Sequence, residues 1–180
     1  MKILTVNNKK EEKFLRTKVD DFDFGKSDKK KIEKLVKAMR KTMAEAKGVG
    51  LSANQVGLSV RMFTMEIPDK LKKQDKNGKM LSQKQISGKF YAIFNPEIIK
   101  SSKKKIVVEE GCLSIPGIYG LVERPEKITL AGQDRNGKKI KIQAAGLLAR
   151  VFQHETDHLN GVLFIDKATD LKKWLINDTE

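Results

Sequence analysis

"HETDHLNG", residues 154–161, closes an amphipathic pattern that begins near residue 145. Leu147, Val151, His154 and His158 recur at i, i+4, i+7 and i+11, so a helix over 145–159 sets them in one stripe on one face. Leu148, Phe152, Glu155 and Leu159 make the adjoining stripe, and Asn160-Gly161 ends the helix. Both histidines therefore point where the apolar residues point, toward a sheet, with Glu155 beside them and Asp157 turned away. They are the chain's only 2 histidines. Two core histidines satisfied by hydrogen bonds are the plain alternative, but a buried imidazole pair without partners is costly. The one-turn spacing with Glu155 adjoining favours a metal.

A catalytic metal of this type takes three protein ligands and keeps one position for water. The single cysteine, Cys112, sits in "EEGCLSIPG" (109–117), with Gly111 before it and Pro116 after. A lone cysteine is commonly a small buried hydrophobe, yet a glycine directly before it fits the unusual backbone of a metal-binding loop. Cys112, His154 and His158 would complete the set.

The rest of the chain reads as helix, strands, then helix. Residues 28–46 form an amphipathic N-terminal helix, with Ile32, Leu35, Val36, Met39 and Met43 at helical spacing, Ser27 or Asp28 to cap it and Gly48 to end it. "GVGLSANQVG" (48–57) follows as a glycine-punctuated loop. Strands are predicted over 59–67, over 90–95 with a stop at Pro96, over 104–110, and over 162–166. "DRNGK" between "KITLAGQ" and "KKIKIQ" predicts a hairpin over 127–143. The lysine-rich 69–89 segment reads as a surface excursion with a turn at Asn77-Gly78. Residues 170–177 predict a short C-terminal helix anchored by Leu171, Trp174 and Leu175. The expectation is an α+β fold: antiparallel β-sheets packed around a central metal-binding helix, in one domain over 1–180.

Composition narrows the function. One cysteine excludes an intramolecular disulfide. No secretory leader pattern opens the sequence, and no run approaches the ~20 apolar residues that span a bilayer. These features predict a cytoplasmic protein with no membrane partner. Lys+Arg number 37 against 23 Asp+Glu, a net charge of +14. The lysines are dispersed and aromatic residues make up only 6%, so base-stacking platforms are scarce and no specific nucleic-acid partner is expected. The charge would still draw the chain weakly to polyanions such as the ribosome surface.

"GVGLSANQ" (48–55), "EGCLS" (110–114) and "HETDHL" (154–159) together resemble the three signature motifs of the peptide deformylase family, in order and rough separation, over about residues 27–166. The resemblance implies a monomeric enzyme that removes the formyl group from the N-terminal formyl-methionine of nascent polypeptides. It implies one Fe2+ per chain, with Zn2+, Ni2+ or Co2+ able to substitute, held by Cys112, His154 and His158. Glu155 would be the general acid/base, and the Gln55 amide and the Leu113 N–H would donate to the oxyanion. Gly50 would pair with the peptide backbone, and Val49, Leu147 and Val151 would line the methionine pocket. Glu110 and Arg124 would form an ion pair that steadies the Cys112 loop. Two positions depart from the pattern. Ser52 stands where alanine is usual and, being small, is expected to change little. Tyr119 stands where some relatives carry an arginine, which bears on substrate preference.

Two rivals share parts of the pattern. A zinc metallopeptidase of the His-Glu-x-x-His class needs a third ligand downstream, for which Asp166 and Asp170 are the candidates. A basic ribosome- or RNA-binding module with a structural metal needs a fourth protein ligand, and the chain offers no second cysteine or third histidine.

Overall fold

The computed structural model describes residues 1–67 and 89–173. Two antiparallel sheets flank one helix. The larger sheet comprises β1 (Gly50–Ser52), β2 (Met62–Met65), β3 (Tyr91–Ser101), β6 (Lys127–Gln133) and β7 (Lys139–Ala145), in the order β1-β2-β3-β6-β7. The smaller comprises β4 (Lys105–Cys112), β5 (Ile115–Pro125) and β8 (Ala168–Lys173), in the order β4-β5-β8. Helices α1 (Lys9–Leu15) and α2 (Lys29–Glu45) precede them, and α3 (Gly146–Leu159) follows β7.

Helix α3 is buried on more than one face, including Val151, Phe152, Glu155, His158 and Leu159. Phe152 seats it on the larger sheet, 5.7 Å from the ring of Phe63 and 5.4 Å edge-on to Tyr91. Such ring pairs add roughly 0.5–1.5 kcal/mol each beyond the area they bury. Asn160 caps the helix, and Gly161 turns the chain at φ 74°. A Cβ on Gly161 would lie 2.7 Å from the carbonyl carbon of Arg16. Gly161→Ala is therefore expected to destabilise the fold by at least about 1–2 kcal/mol, from the left-handed backbone alone. A thermal midpoint within one degree of the parent's would contradict this.

The predicted N-terminal helix is α2. Asp28 caps it by accepting from the Lys30 N–H, and Ile32, Val36, Met39 and Met43 are buried against β1 and β2. The 127–143 hairpin is β6–β7, with Asp134 Oδ1 taking the N–H groups of Asn136 and Lys138. The strand predicted over 59–67 is shorter, Met62–Met65. The predicted surface excursion lies outside the described residues except Lys89.

Several expectations are corrected. The strand predicted to stop at Pro96 continues to Ser101. Asn95 takes φ 48° and the register against β6 shifts between Phe94 and Glu97, a bulge that absorbs a residue without an N–H. "VLFID" is not a strand. Phe164–Asp166 forms a 3-10 turn closed by Asp166 Oδ2 accepting from the Leu163 N–H at 2.9 Å. Residues 170–173 are not helical either. They belong to β8, which hydrogen-bonds along β5, and Leu171 is exposed. A free strand edge supplied partners that local periodicity could not anticipate. Residues 174–177 of that predicted helix lie outside the described residues. The predicted 48–57 loop contains β1 and a 3-10 turn at Ala53–Val56. Helix α1 was not expected, although Asn8 as cap and Glu11 and Glu12 in the first turn signal it. Among the described residues, no helix is long and apolar enough to cross a membrane.

Candidate metal centre

Cys112 ends β4. Along β4–β5 the pairing slips between Gly111 and Cys112, so that Gly111 faces Tyr119 while Cys112 faces Ile115. The slip removes Cys112 from the regular alternation and leaves it half-buried against α3. A Cβ on Gly111 would lie 2.6 Å from the Tyr119 ring, so a side chain there would push the ring aside. From the other side, α3 supplies the two histidines one turn apart, with ring centroids 4.9 Å from one another. The donor atoms of Cys112, His154 and His158 all lie within 4.8 Å of each other, and Cys112 Sγ is 3.1 Å from His158 Nε2.

One buried carboxylate orders this group. Glu110 accepts from Arg124 Nε at 2.6 Å and Nη2 at 2.9 Å, from Arg150 Nη1 at 2.6 Å, and lies 2.9 Å from His154 Nδ1. Arg124 also reaches Asp157 at 2.7 Å, and Lys167 reaches the same carboxylate. The expected Glu110–Arg124 pair is thus part of a larger cluster. Burial pushes the Glu110 carboxyl up, but hydrogen bonds from His154 and Arg124 outweigh it and hold it well below the usual carboxylate range. Ionised Glu110 accepts a hydrogen bond from His154 Nδ1–H, which leaves Nε2 to face the sulfur.

The two imidazoles differ. Burial pushes His154 down, but hydrogen bonds to Cys112 and Glu110 prevail and hold it at about 10. His158 is held well below its ordinary value by burial and by the neighbouring charges of His154 and Arg124. His158 is therefore neutral, the form that ligates, while His154 must give up a proton to do so. Metal uptake at neutral pH is expected to release protons, because an imidazole ligates only in its neutral form and a cysteine only as the thiolate, so apparent affinity rises with pH. Titration calorimetry in buffers of different ionisation heat reads the proton directly. Uptake with no proton released at pH 7 would refute the assignment.

A cavity of about 460 Å³ opens onto the group. Cys112, His154 and Glu155 form part of its wall, as do Gln55 and Leu113. Val49, Gly50, Leu147 and Val151 also line it. Of the other site residues expected from the sequence, Glu110 lines it too, whereas His158 and Arg124 lie behind the wall, at 1% and 3% exposure. Glu155 is buried beside the histidines, and burial raises its carboxyl, partly offset by the His154 charge and a hydrogen bond from Ser52. Gln55 Oε1 accepts from the Ser52 N–H at 2.9 Å, which turns its amide nitrogen to Ser114 Oγ at 3.1 Å and Cys112 Sγ at 3.5 Å. A Cβ on Gly50 would sit 2.8 Å from Glu155 Cδ and 2.9 Å from Val151 Cγ1, so the wall admits no side chain there.

The donor set fits a catalytic metal. It is one sulfur and two imidazole nitrogens, converging from two elements, with one imidazole aligned by a carboxylate. Sequence reasoning weighed Ser52 for its size alone and assigned no contact to Ser114 or Arg150. Arg150 stands four residues before His154, a spacing that sets both on one face of α3.

The chain is similar to known proteins in sequence and in fold. The polypeptide deformylase family profile matches residues 1–174. A peptide deformylase of Symbiobacterium thermophilum is 45% identical over 141 residues, covering 78% of this chain and 57% of that protein. One of Halothermothrix orenii is 44% identical over 147 residues, covering 82% and 84%. The chain thus spans little more than half of the first relative and most of the second. Among solved structures, a probable peptide deformylase of Synechococcus phage S-SSM7 superposes with a TM-score of 0.75 at 34% identity, over 93% of this chain and 99% of that one.

Proposed function

The chain belongs to the polypeptide deformylase family, and from that premise we propose that it hydrolyses the formyl amide of N-formyl-methionyl nascent polypeptides, releasing formate and a free amine. The observation that carries this reading is the convergence of Cys112, His154 and His158 behind one cavity whose wall includes Cys112, His154 and Glu155.

A divalent cation held by Cys112, His154 and His158 supplies Lewis acidity to the site. Glu155 takes a proton from the attacking water and returns it to the amine nitrogen as the C–N bond breaks. The Gln55 amide and the Leu113 N–H donate to the formyl oxygen as it becomes anionic. Loss of one such donor typically raises the barrier by about 3 kcal/mol. Gly50 leaves room for the peptide backbone, and Val49, Leu147 and Val151 pack the methionine side chain. Glu110 and Arg124 fix His154 and the Cys112 segment.

Incubating metal-loaded protein with a formyl-methionyl peptide tests the reading. Stoichiometric formate is expected, and none from the metal-free protein. Cleavage of internal peptide bonds instead would favour the metallopeptidase. Asp166 gives no support to that rival, since it is bonded to Arg16 and to the Leu163 N–H. Among the described residues, no fourth ligand joins the group, against a closed structural site.

We assign iron as the resident metal, with Zn2+, Ni2+ or Co2+ as substitutes. A sulfur ligand beside Fe2+ is open to oxidation, so activity is expected to decay faster in air with iron than with nickel. Equal lifetimes would count against it. We place the protein in the cytoplasm as a monomer, its basic surface aiding encounter with the ribosome. Salt should then weaken that association steeply.

A further inference from the structure

We infer that Ser52 is a positioning residue for Glu155, an inference that rests on Glu155 as the proton carrier. Ser52 is fully buried at the end of β1. Its Oγ lies 2.7 Å from Glu155 Oε2 and 2.9 Å from the Glu155 backbone oxygen. A hydroxyl has one hydrogen, and of the two contacts the one to Oε2 is the shorter, so the hydrogen goes to Oε2. The other oxygen, Oε1, lies against Gly50, where a Cβ would collide with it. Gly50 and Glu155 both line the cavity. The two oxygens are thereby divided: Oε2 is tethered by the hydroxyl, and Oε1 is turned to the Gly50 side for proton transfer.

The same residue acts a second time through its backbone. Its N–H holds Gln55 Oε1 at 2.9 Å and so aims the Gln55 amide nitrogen. Ser52→Ala cuts only the first tether, because the N–H remains. Removing the hydroxyl from a fully buried position leaves Oε2 without its donor and the carboxylate free to rotate. The expectation that a small residue here changes little is therefore revised for this chain.

The test is a double-mutant cycle on formate release, normalised to bound metal, with wild type, S52A, E155Q and the double variant. S52A is expected to lower kcat about 10-fold with KM unchanged. In the E155Q background, S52A is expected to cost nothing more, since the group it positions no longer carries protons. A loss of equal size in both backgrounds marks a merely structural role and overturns the inference, as does an S52A kcat within twofold of wild type. Failure of the wild type to release formate overturns the assigned function, and this inference with it.

Discussion

Glu155→Gln is expected to lower kcat for formate release on the order of 10²- to 10⁴-fold while the protein keeps its metal and its fold. The substitution preserves shape and one acceptor oxygen, replaces the other by an NH2, and removes the ability to take a proton. The site makes this a clean change. Glu155 is not among the three converging donors, and its Oε2 accepts from Ser52 Oγ, a bond that a Gln carbonyl oxygen can also accept. Metal content by elemental analysis and an unchanged thermal midpoint would confirm that only proton transfer was lost. Retention of more than a tenth of wild-type kcat would mean that another group carries the proton.

Glu110→Gln is expected to be the most damaging change to the fold and to metal retention together. The Glu110 carboxylate answers two guanidinium groups and one imidazole, and its own side chain is 5% exposed. A neutral amide leaves buried positive charge uncompensated and presents an NH2 where only acceptors are wanted. Breaking a buried pair in this way typically costs about 3–5 kcal/mol. Loss of the partner that aligns His154 should weaken metal binding a further 10–100-fold, the usual effect of removing such a support. The sign with pH follows from the depressed carboxyl. Its contribution is complete above the ordinary carboxylate range and is lost only as pH falls below it. The gap in stability between parent and variant should therefore be widest near neutrality and shrink in strong acid. Denaturant unfolding at several pH values measures it, and a constant gap would refute the account.

The central helix was legible because its period and its chemistry coincide on one face. Leu147, Val151, His154 and His158 need only 3.6 residues per turn to align, and α3 aligns them. The Cys112 assignment was less direct. Nothing in the spacing shows that β4 and β5 slip by a register step at Gly111, and it is that slip that removes Cys112 from the regular alternation. The C-terminal strand was illegible for a related reason, since β8 takes its conformation from the edge of β5. Arg150 was missed because a charged residue inside a helical pattern is ordinarily solvent-facing, whereas here it is buried to reach Glu110 and the carbonyls of Val122 and Ile106. The reading of Ser52 weighed size alone, because its hydroxyl bond depends on a partner 103 residues away.

The register slip at Gly111 has a bearing on assembly. The sulfur rides on the smaller sheet, and the imidazole pair rides on a helix seated against the larger one. Any cation gripped by all three acts as a rivet between halves that each carry their own apolar packing. Mass action then makes cohesion of the halves depend on how much cation is available, adding RT ln(1 + [L]/Kd) to their union. Withholding the cation is expected to loosen the seam between the two sheets.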